Sequence, residues 1–263
     1  MSEDALAKAY NRGLELEKQG DIAGAIDAYN EALALDPNDP GGVTVRLAAL
    51  GVGPAPATAP PAYVEMLFDQ HADTFEDILV SRLNYDVPNL IRRKLDALGL
   101  CPFRRMLDLG CGTGLAAEAM RDAAEEIIGI DLSEQMIDVA EEKDVYEGLY
   151  TGEVVEFLED NDEDPFDLIV AADVLPYLGT VEPLFAGVAA NLDPEGVFAF
   201  STEMLVTNGN YAVGPNRRFL HSEVYLRDGL AAAGFTILAM DEINVRDEDG
   251  APSPGHLVAA RKS

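Results

Sequence analysis

Residues 105–114 read Arg-Met-Leu-Asp-Leu-Gly-Cys-Gly-Thr-Gly, and the fold of the chain turns on how they are taken. Met106, Leu107 and Leu109 supply the apolar run of a strand covered on both faces, and Gly110, Gly112 and Gly114 follow at once. Three glycines two apart remove every second side chain, so a ligand can touch the backbone itself. Leu115 to Arg121 are good helix formers. The whole is a strand, a glycine turn and a helix, the opening of a doubly wound α/β unit in which nucleotides sit at the turn.

The spacing decides which nucleotide. A dinucleotide fingerprint is G-x-G-x-x-G, with a helix N-terminus receiving a pyrophosphate. Here the glycines run G-x-G-x-G, and Asp108 stands two residues before the first. A carboxylate there repels a phosphate and attracts an ammonium. Asp108-Leu109-Gly110-Cys111-Gly112-Thr113-Gly114 resembles the first motif of the class I S-adenosylmethionine-dependent methyltransferases, whose cofactor carries an ammonium and a sulfonium but no phosphate. A second apolar run, Ile127-Ile128-Gly129-Ile130, ends in Asp131, where a doubly wound fold places the acid that binds ribose hydroxyls. Ser133 reads as the N-cap of the helix that follows.

The resemblance implies a Rossmann-like, doubly wound, seven-stranded sheet with the last strand antiparallel between the fifth and sixth. It also implies a set of cofactor-binding positions. These are Asp108, Gly110, Cys111, Gly112 and Gly114 in the turn, Asp131 on the ribose, Leu132 and Met136 against the adenine, Gly152 and Glu153 after a third strand at Leu149–Thr151, and Asp173 after a fourth strand at Phe166–Ala172. S-adenosylmethionine is the implied cofactor, S-adenosylhomocysteine the product and a small molecule the methyl acceptor. Substrates gather at the C-terminal strand edge, which puts Tyr177 on the acceptor side. Phe68-Asp69-Gln70-His71-Ala72-Asp73-Thr74-Phe75 is similar to a segment that covers the cofactor in small-molecule methyltransferases, so His71, Phe75 and Tyr85 are expected to face the cavity.

Further along, Glu156–Asp167 is acidic and reads as a solvated loop. The segment Met204–Phe219 is rich in Asn and Gly, too polar for core, and carries Tyr211, Arg217 and Arg218. Arg218, with Tyr211 and His221, could bind a carboxylate bidentately. By residue type His71 and His221 are the candidate general bases, and His221 is placed at the start of a helix running to Ala233. His256 falls in a strand pattern and is read as structural.

The N-terminus is a different unit. Two helical patterns, Ala5–Gln19 and Asp21–Leu35, meet at Gly20, and Gly13, Gly20, Ala25, Tyr29, Ala32 and Pro37 fall at the spacings of a tetratricopeptide repeat. Val43–Leu50 resembles the first helix of a broken second repeat. One repeat is not stable alone, so it is expected to pack on its neighbour, a second subunit or a partner. The domains read as a repeat at 1–50, a Pro/Ala/Gly linker at 51–61 expected to be a semi-rigid extended spacer, and a methyltransferase domain at 62–263, with a helical cap at 62–100 and the core at 101–263.

Composition sets limits. Eighteen Lys and Arg against 48 Asp and Glu give a formal charge of −30, which disfavours nucleic acid and anionic membrane as partners. Arg92-Arg93-Lys94, Arg104-Arg105 and Arg217-Arg218 are local exceptions. The acidic N-terminus lacks a secretory pattern, and Cys101 and Cys111 suggest reduced thiols and a cytoplasmic setting. No His or Cys cluster has metal-ligand spacing. Two other readings stay open: a protein-binding module whose methyltransferase domain modifies a partner or only binds cofactor, and a different nucleotide enzyme on the same fold.

Overall fold

The computed structural model describes residues 2–248 and 250–263. Its N-terminal unit is α1 (Ser2–Gln19), α2 (Ile22–Leu35) and α3 (Val43–Ala49). Helix α2 starts where the Asp21 side chain accepts the Gly24 amide. Helix α3 starts where Asp39 accepts the amides of Val43 and Thr44 at 2.7 and 2.9 Å. The hairpin closes around Tyr29, whose ring lies where a Cβ on Gly13 would sit 2.3 Å from it. Tyr29 donates to Glu17, and Arg46 of α3 pairs with the same carboxylate at 3.1 Å. The third helix is thereby tied to the first two.

Residues 51–60 are not a spacer. Ala57 accepts the Gly179 amide at 2.8 Å, and the Ala59 amide donates to the Tyr177 carbonyl at 2.8 Å. Thr58 thus forms an antiparallel bridge with Leu178. Prolines at 54, 56 and 60 keep the chain extended, and the small Ala57 and Ala59 let that extended backbone reach the residues that follow the turn at Leu175–Tyr177. Val45 of α3, Ala59 and Phe219 form one buried cluster, so the repeat packs on its own neighbouring domain.

The chain continues through α4 (Pro61–Asp69), a 3-10 turn at Ala72–Thr74, a π-helical turn at Asp77–Arg82 and α5 (Val87–Ala97). Within the helical cap expected over 62–100, the stretch between α4 and α5 is therefore a narrow 3-10 turn and a wide π-helical turn rather than regular α-helix. The core alternates β1 (Phe103–Leu109), α6 (Leu115–Met120), β2 (Ala124–Asp131), α7 (Glu134–Glu141), β3 (Gly148–Thr151), α8 (Val154–Asp160), β4 (Phe166–Ala171), α9 (Glu182–Asn191) and β5 (Leu192–Met204). It ends with β6 (Tyr211–Val213), β7 (Phe219–His221), α10 (Glu223–Ala232), β8 (Phe235–Glu248) and β9 (Ala251–Lys262).

The spatial order is β3-β2-β1-β4-β5-β9-β8, parallel through β5, with β9 antiparallel to both neighbours. This is the seven-stranded order that the motif implied. The hairpin β6–β7 extends it to nine strands, with Glu203 and Met204 of β5 paired to Leu220 and His221. The polar segment expected over 204–219 therefore ends in a strand, and His221 lies in that strand, not at the start of α10. The acidic loop expected over 156–167 is a helix in its first half: Glu153 caps α8, and Val154 and Leu158, four apart, bury one face.

A Cβ at residue 13 would displace the Tyr29 ring, so Gly13→Ala should destabilise the repeat by about 1–3 kcal/mol. Limited proteolysis should then cut first within residues 1–50. An unchanged urea midpoint and cleavage pattern would contradict this packing.

Candidate active site

A cleft of ≈ 970 Å³, measured out to its mouth, opens at the C-terminal edge of the parallel strands. Its floor is the turn after β1. Gly110, Gly112 and Gly114 have φ of 60°, 54° and 91°, the left-handed region that side chains avoid. At Gly110 space is also short, because a Cβ would lie 2.6 Å from the Val174 side chain. The turn is clipped to β2 by the Cys111 amide on the Ile130 carbonyl at 2.9 Å. Asp131 accepts the Gly112 amide on one oxygen at 2.8 Å and the Ser133 amide on the other at 2.9 Å. This carboxylate is a fixed post between the two loops, and it lines the cleft with Leu132.

Asp108 is the most unusual group. It is 1% exposed and lines the cleft. Its Oδ2 accepts the Tyr146 hydroxyl at 2.8 Å, while Oδ1 has no partner in hydrogen-bond geometry. Burial pushes its pKa up to about 7, helped by the charge of Asp131 and opposed by the Tyr146 hydroxyl and more weakly by the Ala117 amide. A buried carboxylate half satisfied is costly to keep, and a cation against Oδ1 would relieve that cost. The sequence reading missed Tyr146. It lies on the loop between α7 and β3, 38 residues from the acid it contacts, and no local spacing links the two.

The roof comes from the N-terminal segment. Asp69 accepts the Ser133 hydroxyl at 2.6 Å, and Glu76 accepts the Thr113 hydroxyl at 2.7 Å while pairing with Lys143 at 2.6 Å. Phe75, Tyr85 and Tyr177 all line the cleft. Phe68 meets Phe75 and Tyr177 edge-on, with ring centroids 5.9 and 5.3 Å away. Thr58 and Ala59 of the docked linker complete this wall.

Gly152, Glu153 and Asp173 also line the cleft. One Glu153 oxygen is engaged by the Val155 and Glu156 amides at 2.8 and 2.9 Å. Asp173, at φ 69°, is ion-paired to Arg246.

Six residues singled out from the sequence lie outside the lining. Gly114 begins α6, and a Cβ there would face Tyr146 and Lys143. Met136 is wholly buried in α7. His71 is exposed at the head of the 3-10 turn. His221 is buried, with Nδ1 2.8 Å from the Thr202 hydroxyl and Nε2 3.2 Å from the Gly179 carbonyl. Burial pulls its pKa down to about 4, so the ring is neutral and its nitrogens are occupied. Tyr211 packs among Phe219, His221 and Tyr225. Arg218 is committed to Glu203 at 2.5 Å and to Glu248, so it is not a free anion receptor. The other basic runs are likewise paired, Arg93 to Asp86 and Lys94 to Asp241 among them.

Residues 107–198 match the family described as a methyltransferase domain, and residues 9–39 match the tetratricopeptide repeat. A methyltransferase domain over residues 107–198 thus follows a tetratricopeptide repeat over residues 9–39. A ubiquinone biosynthesis O-methyltransferase of Alkalilimnicola ehrlichii is 37% identical over 109 residues, which are 40% of this chain and 44% of that protein. The chain thus matches less than half the length of such relatives. Among solved structures, the N-methyltransferase NodS of Bradyrhizobium japonicum, in complex with S-adenosylhomocysteine, has a TM-score of 0.58 at 17% identity over 76% of this chain and 98% of that one. The [4+2]-cyclase SpnF has a TM-score of 0.64 at 18% identity over 80% and 98%. These two similarities concern the fold of the methyltransferase domain, which does not fix the reaction.

Folding raises the Asp108 pKa from 3.8 to about 7, so the folded chain binds the extra proton between those values. The contribution of this group is then most favourable below about pH 4 and is lost as the pH rises through 7. At pH 8 Asp108→Asn removes a buried charge and should stabilise the unliganded protein by about 1–4 kcal/mol, roughly 2–4 °C for each kcal/mol. The gain should vanish near pH 4. Equal melting curves at pH 8 would contradict the burial of a charged Asp108.

Proposed function

We propose that the chain transfers a methyl group from S-adenosylmethionine to a small-molecule acceptor bound in the same cleft. The observation that carries this is the unpartnered, buried Oδ1 of Asp108 at the floor of a cleft whose glycine turn presents backbone, an acid where a phosphate would be repelled and an ammonium held. The residues fit the cofactor. Asp108 would take its ammonium, the backbone of Gly110 to Gly112 its amino-acid portion, and Asp131 its ribose hydroxyls. Leu132 would lie against the adenine, with Gly152 and Glu153 at its rim. Cys111 serves through its backbone, since its thiol is buried and turned toward β2, 3.1 Å from where a Gly129 Cβ would stand.

When bound, S-adenosylmethionine supplies a methyl already activated on a sulfonium. What is left to the protein is to hold an acceptor atom in line and exclude water. Phe68, Phe75 and Tyr177 supply the apolar wall, and the Asp69–Ser133 and Glu76–Thr113 hydrogen bonds keep the roof over the turn. Neither His221 nor His71 reaches the cleft, so the reading assigns no histidine base; positioning is the main contribution. The repeat serves as a brace for this wall, because α3 packs on the linker residue Ala59, which lines the cleft.

Titration calorimetry with S-adenosylhomocysteine should give saturable 1:1 binding, and NADH should give no heat. Asp108→Ala and Asp131→Ala should each weaken binding at least tenfold. If both variants bind like the parent, or the parent binds only NADH, the reading fails.

A further inference from the structure

On the methyltransferase reading, the cleft has an acceptor end, and its chemistry can be read from what lines it. The geometry points to an uncharged, ring-bearing acceptor whose polar group is held by the hydroxyls of Tyr85 and Tyr177. Among the described residues no Lys, Arg or His lines the cleft, whereas Asp108, Asp131, Glu153 and Asp173 all do. The cations nearest that end are already neutralised. Arg246, 3% exposed and beneath the Tyr85 ring at 5.8 Å, pairs with Asp173 and approaches Glu203 at 3.7 Å. Arg218 holds Glu203 and Glu248. An anionic acceptor would have to enter a field of carboxylates and displace Asp173 from Arg246 to find a partner.

Each of the four acids also has an assignment that leaves none for a cationic acceptor. Asp108 is reserved for the cofactor's ammonium, Asp131 is tied to two backbone amides and meets the ribose, Glu153 caps α8, and Asp173 is held by Arg246. What remains at this end is neutral. Phe68, Phe75 and Tyr177 present ring faces and edges, suited to an aromatic ring by edge-to-face contact. Tyr85 and Tyr177 both line the cleft, and neither side-chain hydroxyl has a hydrogen-bond partner among the described residues, although the backbones of both are paired. Burial and the nearby Asp173 charge hold both phenols protonated, so each hydroxyl can donate to an acceptor oxygen or nitrogen. Ala59, Pro61 and Val64 carry the apolar lining out along the linker side, where the remainder of such a molecule would lie.

The test uses the full chain loaded with S-adenosylhomocysteine at pH 7.5, with saturation-transfer NMR and competition reading the affinities of three probes of one shape: methyl 4-hydroxybenzoate, 4-hydroxybenzoate and tyramine. Saturable calorimetric binding of S-adenosylhomocysteine is established first, and its absence would sink the methyltransferase reading, not this one. The neutral ester should bind at least tenfold tighter than the benzoate anion and several-fold tighter than the ammonium. The Tyr85→Phe, Tyr177→Phe double variant should weaken ester binding at least fivefold, with S-adenosylhomocysteine affinity changed less than twofold. The inference is overturned if the benzoate or tyramine binds as well as the ester. It is also overturned if the ester fails to bind at millimolar concentration, or if the double variant binds it like the parent.

Discussion

One carboxylate oxygen, Oδ1 of Asp108, is buried at the floor of the cleft and accepts no hydrogen bond among the described residues. Its partner oxygen is held by Tyr146, which fixes the plane of the group and therefore the direction of the unsatisfied atom. Strand β1 puts the acid there because its flanking residues, Leu107 and Leu109, are wholly buried core. The glycine turn that follows keeps every side chain out of the way of whatever reaches it. A protein tolerates such a group where a ligand repays the desolvation, and the cost is consistent with a site built for a cation.

The remainder of the molecule closes this site. Asp131 ties the glycine turn to the second loop, and Asp69 and Glu76 bring the N-terminal segment down onto both. The linker is part of that closure through its bridge to Leu178, and the repeat is joined to the linker through Val45 and Ala59. The β6–β7 hairpin reaches the same place from the other side, since Phe219 shares the cluster. A wall of the cleft is therefore assembled from segments more than a hundred residues apart, which explains how a single repeat persists: its exposed face is covered by the domain it serves.

The local features were legible. A strand, glycine turn and helix is written within ten residues, and so is the Asp131-to-Ser133 loop, because spacing and capping act over a few positions. The resemblance supplied the strand order, including the antiparallel β9. Side-chain partnerships across the sequence were not legible. Arg218 looked free for an anion until β5 brought Glu203 beside it, and His221 looked available until β7 buried it against Thr202 and Gly179. The linker looked like a spacer because proline content says that a segment is extended and is silent on whether a partner backbone lies within reach. The acidic run over 156–167 looked like a loop because the apolar positions that make α8 a helix, Val154, Val155, Phe157 and Leu158, sit at and before its start, and the rest of the run is mostly acidic.

The central claim is that Asp108 is kept buried, its pKa raised to about 7 so that it is only part ionised at neutrality, for a cation to ionise it fully. Calorimetry of S-adenosylhomocysteine binding at pH 6.5, run in two buffers of different ionisation enthalpy, measures the protons exchanged. A pKa of about 7 in the free protein, lowered by the incoming ammonium, predicts release of on the order of half a proton or more per ligand, absent in Asp108→Asn. Binding heat that is the same in both buffers, with the parent and the variant alike, would contradict the account.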